Sequence, residues 1–157
     1  MKSTWSYSNT KFFRRLYVFV LLVMAFTGFG QMPIFKRYYV SEIPGMGWAA
    51  DFYLTHTLHY LGAIVLFALF AYVITDYLLK GKNHARLTAS AYVRLALLGG
   101  LVVTGIFRVF KNLPDISFSP GFTLFIDLAH LGFVMLFVIA ALLFLIFKLP
   151  WVEPRRS

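Results

Sequence analysis

Four apolar runs, each long enough to cross a lipid bilayer, decide what this chain can fold into. A bilayer core is about 30 Å thick and a helix rises about 1.5 Å per residue, so a crossing takes about 20 residues. Such runs extend from about Phe12 to Gln31, Asp51 to Leu79, Ala89 to Phe110 and Phe122 to Leu149. Lipid offers no partner to backbone N–H and C=O groups, so each run must satisfy its own as a helix. The expected fold is all-α: an integral membrane four-helix bundle forming one transmembrane domain over residues 1–157. Composition agrees. Of the residues, 60% are hydrophobic and 13% charged, against about 25% charged in soluble domains. A soluble fold of this size could not bury so much apolar side chain, whereas lipid covers it. The second and fourth runs exceed one crossing and are expected to tilt or project.

The net charge of +9 does not indicate nucleic acid, because the cations lie between the apolar runs rather than along one stripe. Eleven of the 15 basic residues fall on one side: Lys2, Lys11, Arg14, Arg15, Lys80, Lys82, Arg86, Arg94, Lys148, Arg155 and Arg156. Lys36, Arg37, Arg108 and Lys111 fall on the other. The positive-inside rule then places both termini and the middle loop in the cytoplasm. The outer loops hold Tyr38, Tyr39 and Trp48, which suit a membrane–water interface. The basic start of the first run also fits a signal peptide, but no small-residue cleavage pattern follows Ala25-Phe26-Thr27-Gly28, so it reads as a retained helix. The absence of cysteine excludes disulfides, thiolate iron–sulfur ligands and covalently attached c-type haem.

The halves resemble each other. Thr27-Gly28 recurs as Thr104-Gly105, Pro44-Gly45 as Pro120-Gly121, and a histidine follows in each half, His59 (with His56) and His130. The first and second hairpins read as two copies of one unit.

Intramembrane ionisable groups are costly and are functional candidates by default. His59 and His130 lie about eight and nine residues into the second and fourth runs, roughly 12–14 Å along helices of the same direction. Two neutral imidazoles at one depth can ligate a haem iron from opposite faces, and bis-His ligation favours electron transfer over oxygen chemistry. The competing reading is two unrelated histidines, each satisfied by a carbonyl or hydroxyl on a neighbouring helix. His56, three residues earlier, shares a face with His59 and is either the ligand or a donor to a haem propionate. Gly62, one turn after His59, leaves room for a flat macrocycle; Gly132, Gly28 and Gly105 serve likewise, or mediate plain helix packing. Arg108 pairs with propionates or snorkels to the interface. Asp127 orients a ligand, carries protons or caps the interface. Asp76 and Arg94 pair with each other or line a quinone or proton route. Phe52, Tyr53 and Phe133 are candidates for the haem edge, and His84 sits in a basic loop.

On these residues, from Arg14 through Thr27-Gly28 to the fourth run, the chain resembles the cytochrome b membrane subunits of respiratory formate dehydrogenases and nickel–iron hydrogenases. The resemblance implies a four-helix core, with helix II and IV histidines, here His59 and His130, holding a haem b near the outer face. Relatives with two haems take a further ligand from helix I, where this chain has Arg14-Arg15-Leu16-Tyr17, and another where it has Phe144. One haem is therefore expected. The implied function is a monohaem b-type cytochrome in a bacterial inner membrane. It would pass electrons between a periplasmic multihaem cytochrome c or iron–sulfur subunit and the quinone pool, with quinone as a candidate second ligand. A haem-free structural membrane anchor is the alternative. A small transporter ranks third, since no run is broken by an internal proline.

Overall fold

The computed structural model of the chain describes residues 10–32 and 34–155. Lys2 and Arg156, both used in the orientation argument, lie outside the described residues. The long elements are α1 (Thr10–Gly30), α3 (Phe52–Asp76), α4 (Ala89–Phe110) and α5 (Pro120–Ile146). A one-turn helix α2 (Ile34–Arg37) and two 3-10 turns (Val40–Glu42 and Gly47–Ala50) lie between α1 and α3. The fold is all-α, with four helices long and apolar enough to cross a membrane. The chain divides into two compact units, residues 1–84 and 85–157. Each is a helical hairpin, α1 against α3 in the first and α4 against α5 in the second.

Capping explains where the helices begin. The Asp51 carboxylate accepts from the Leu54 N–H at 3.0 Å, so α3 starts at Phe52. Thr88 caps α4 by accepting from Ala91. The fourth run starts at Pro120, two residues before the expected Phe122, because Ser119 caps it and Pro120 occupies the first turn, where its missing N–H costs nothing. It ends at Ile146, short of Leu149, because Lys148 turns left-handed (φ 51°) and Pro150 follows. The second run changes register at its end. After Asp76 it closes in a π-helical turn, Tyr77–Gly81.

Large side chains on the long helices, Leu61, Ile64, Leu128 and Leu145 among them, are exposed. That is the surface expected of a protein solvated by lipid. Within the first unit, Phe13 stacks on Tyr72 with ring centroids 4.8 Å apart, and Phe26 packs between Phe35 and Trp48 near the connection end. Within the second, Phe107, Phe118 and Phe122 form an edge-to-face cluster at the connection end. At the opposite end a short antiparallel ribbon joins β1 (Ala85–Leu87) to β2 (Val152–Pro154). Thr88 and Ser90 hydroxyls reach the Pro150 carbonyl at 2.7 and 2.8 Å, tying the C-terminal segment to the start of α4.

Candidate functional site

Each hairpin holds one intramembrane histidine in the same way. In the first unit the His59 Nδ1 lies 3.2 Å from the Thr27 hydroxyl and 3.0 Å from the Met24 carbonyl of α1. In the second, the His130 Nδ1 lies 2.9 Å from the Thr104 hydroxyl of α4. The glycine after each threonine seats the ring edge. A Cβ added at Gly28 would stand 3.2 Å from the His59 Cε1, and one at Gly105 would stand 3.6 Å from the His130 Cε1.

Hydrogen-bond chemistry favours one set of proton positions. The Thr27 hydroxyl lies 2.7 Å from the Val23 carbonyl four residues back, and Thr104 makes the same 2.7 Å bond to Gly100. A hydroxyl has one proton, and a carbonyl can only accept it. Each threonine therefore donates to its own helix and offers a lone pair to the histidine. Both imidazoles are then Nδ1–H donors, and for His59 the Met24 carbonyl requires the same. In a neutral ring this leaves the lone pair on Nε2, the tautomer suited to a metal ligand whose other nitrogen is anchored.

The equivalence extends one turn toward the connection. His56 precedes His59 by three residues, as Asp127 precedes His130; Gln31 follows Thr27 by four, as Arg108 follows Thr104. These positions pair in both hairpins. The His56 Nδ1 lies 3.0 Å from the Gln31 side-chain oxygen. Arg108 Nε lies 3.1 Å from Asp127, which Lys111 also grips at 2.7 Å. Four residues before the clasp histidines, Thr55 and Ile126 are both almost fully buried, at 0% and 2% exposure.

This pairing distinguishes His59 from His56. Only His59 occupies the place that His130 occupies. His56 belongs to the next rung, where its ring also stacks on Phe52 (centroids 5.3 Å, 17°) and approaches Tyr60. Phe52 thus lies over His56, and Tyr53 is exposed. Arg108 is neither a lone snorkelling cation nor a free one. It shares Asp127 with Lys111, and two cations on one carboxylate leave this rung net positive. Asp127 caps no helix; Ser119 caps α5.

The glycines divide by role. Gly28 and Gly105 accommodate the histidine rings. Gly62 is filled from within its own hairpin: a Cβ there would come 2.8 Å from the Met24 Cγ. The flat space expected beside His59 at this residue is therefore occupied by Met24. Gly132 has nothing within 4 Å of a built Cβ. Phe133 packs over Gly100, so closely that a Cβ on Gly100 would sit 2.5 Å from its ring.

Toward the other end, Asp76 is buried and held by Lys80 at 3.1 Å. Arg94 is likewise satisfied within its own hairpin. Its guanidinium donates to the Leu149 carbonyl at 2.9 Å and to Ser90, and lies 4.5 Å over the Phe144 ring and 4.8 Å over Trp151. Phe144 is thus engaged in a cation–π contact. His84 is exposed in the turn before β1. Among the described residues, no group of three or more His, Asp or Glu side chains is arranged to hold a metal ion.

Sequence reasoning singled out the repeated Thr-Gly dipeptides but gave the glycine the functional part. The threonine escaped it, because its role depends on a histidine 32 residues away in one hairpin and 26 in the other. No protein-family model matches the chain, and neither does any curated protein or solved structure.

Proposed function

We propose that the protein is a monohaem b-type cytochrome of a bacterial inner membrane, with His59 and His130 as the residues that would hold the haem. The observation that carries this reading is the duplicated clasp. Each hairpin presents one histidine with Nδ1 protonated and anchored, which leaves Nε2 as the ligating nitrogen. Plain helix–helix adhesion needs a hydrogen bond but not the same ring tautomer and the same glycine seat twice. Bound haem b would supply reversible one-electron transfer. The chain's own part is to hold the two rings, to exclude water with apolar helix surface and to neutralise propionates. Arg108 and Lys111 supply the charge for the last task, with Asp127 fixing their geometry.

In this reading both termini are cytoplasmic and the clasp lies in the outer half of the membrane. Electrons pass between a periplasmic redox subunit, a multihaem cytochrome c or an iron–sulfur protein, and the quinone pool. The supports are the charge asymmetry of the loops and the resemblance to respiratory cytochrome b subunits. A haem-free structural anchor is the second reading. It is favoured by the tight interlock within each hairpin, Met24 into Gly62 and Phe133 over Gly100.

A visible spectrum of the protein expressed with ample haem decides between them. The cytochrome reading expects one b-type α-band on reduction and one haem per chain. It expects that band to vanish in His59→Ala and in His130→Ala and to persist in His56→Ala and His84→Ala. A native protein that takes up no haem, or a band indifferent to His59 and His130, overturns it.

A further inference from the structure

We infer that Thr104, and Thr27 together with the Met24 carbonyl, are positioning groups that fix the ring tautomers of His130 and His59 and thereby bias the reduction potential of a bound haem. The inference rests on the cytochrome reading for its second half only; the tautomer is a property of the chain alone.

Both threonines have a short bond, 2.7 Å, to the carbonyl four residues back on their own helix. That bond consumes the only hydroxyl proton, so the oxygen that meets the imidazole is an acceptor. An accepting oxygen 2.9–3.2 Å from Nδ1 stabilises the Nδ1–H form, and at His59 the Met24 carbonyl, at 3.0 Å, does so as well. It also pulls the proton partly away from the ring, which makes Nε2 a stronger donor to iron. A stronger axial donor favours the ferric state, so each clasp holds the potential down.

The threonine side chain does two things at once. Its methyl group fills space as a valine would, and its hydroxyl relays a carbonyl's hydrogen-bonding demand from one helix to a histidine on the next. Serine keeps the relay and loses the methyl. Valine keeps the shape and loses the relay. The two substitutions separate packing from positioning.

The test has two arms. In the haem-free full-length protein, side-chain nitrogen NMR should show His59 and His130 protonated at Nδ1 and unprotonated at Nε2. Thr27→Val should shift the Nδ1 resonance of His59 only, and Thr104→Val that of His130 only. In the haem-loaded protein, Thr104→Val should move the ferric–ferrous equilibrium about three- to tenfold toward ferrous, a rise of up to about 59 mV for one electron, and Thr27→Val should move it less, because the Met24 carbonyl still accepts from His59. Haem binding should weaken by about tenfold. Thr27→Ser and Thr104→Ser should restore both readouts, and circular dichroism should report equal helix content throughout.

Nε2–H tautomers in the native protein would overturn the inference, as would valine variants whose potential and Nδ1 shifts match the native ones. Should the serine variants behave as the valine variants do, the methyl group and not the hydroxyl is what matters, and the inference falls. A native protein with Nδ1–H tautomers that binds no haem would fail the cytochrome reading while leaving the tautomer assignment standing.

Discussion

The two hairpins carry the same clasp and surround it differently. In the first, the knob comes from the first helix of the pair and the hole lies on the second: Met24 of α1 enters the space at Gly62 of α3. In the second the direction is reversed, with Phe133 of α5 over Gly100 of α4. Gly62 and Phe133 both stand three residues after the clasp histidine, so one position is a hole in one half and a knob in the other. The rung toward the connection differs too. It is an amide–imidazole pair in the first hairpin and two cations sharing a carboxylate in the second. What stayed alike is the threonine–histidine contact; what diverged is packing and charge. Close contact between two helices can be met by either partner giving way, so packing has two solutions. A ring nitrogen either carries the proton or does not.

The sharpest way to break the comparison is to remove the histidines one at a time. On the cytochrome reading, His59→Ala and His130→Ala should each abolish the haem spectrum, with equal effect, because one histidine cannot replace the other. A variant that keeps a full α-band would show that its half takes no part.

Next come the ring seats. Gly28→Ala places a Cβ 3.2 Å from the His59 ring, inside ordinary contact, whereas Gly105→Ala stands at 3.6 Å. Gly28→Ala should lower haem occupancy several-fold and Gly105→Ala should leave it nearly unchanged, as a haem titration of the two variants would show. Equal losses would place the constraint elsewhere.

The knobs should differ in the same measurable way. Gly100→Ala drives a methyl group into a flat aromatic ring and should cost about 1–3 kcal/mol of stability. Gly62→Ala meets a methionine, whose unbranched side chain adapts, and should cost less than about 1.5 kcal/mol. Gly99→Ala, with nothing within 4 Å, should gain about 0.5–1 kcal/mol from helix propensity alone. Thermal unfolding in one detergent ranks all three, and Gly62→Ala falling below Gly100→Ala would contradict the assignment of knob and hole.

The smallest effect concerns the charged rung. Arg108 and Asp127 are each about one-third exposed, so their pair is screened and contributes about 1 kcal/mol at most to stability. Arg108→Gln should therefore leave the melting temperature within a few degrees while weakening haem binding measurably. Gln31→Ala in the other hairpin should do neither. The contrast isolates charge as the feature that only one half supplies.

Much of this was legible in the linear order of residues. Runs of apolar side chains locate the four long helices to within a few residues, because length and hydrophobicity alone decide what a bilayer accepts. The fourth helix was misjudged by two residues at its start because Ser119 and Pro120, a cap and a first-turn proline, lie outside the apolar run. The repeat was visible in Thr27-Gly28 and Thr104-Gly105, and so were the histidines.

The choice between His56 and His59 was open at that level, since both lie on one face of one helix. Packing separates their surroundings: a second helix puts Thr27 beside one and Gln31 beside the other. The purpose of Gly62 likewise could not be read in advance, because a missing side chain says that something comes close but not what. Number, kind and extent of the helices are local properties, written in each segment's own hydrophobicity and caps. Which nitrogen holds the proton, and which glycine admits a ring or a thioether, depend on how one helix is rotated against its neighbour. That rotation belongs to pairs of side chains far apart in the chain, and only packing selects it.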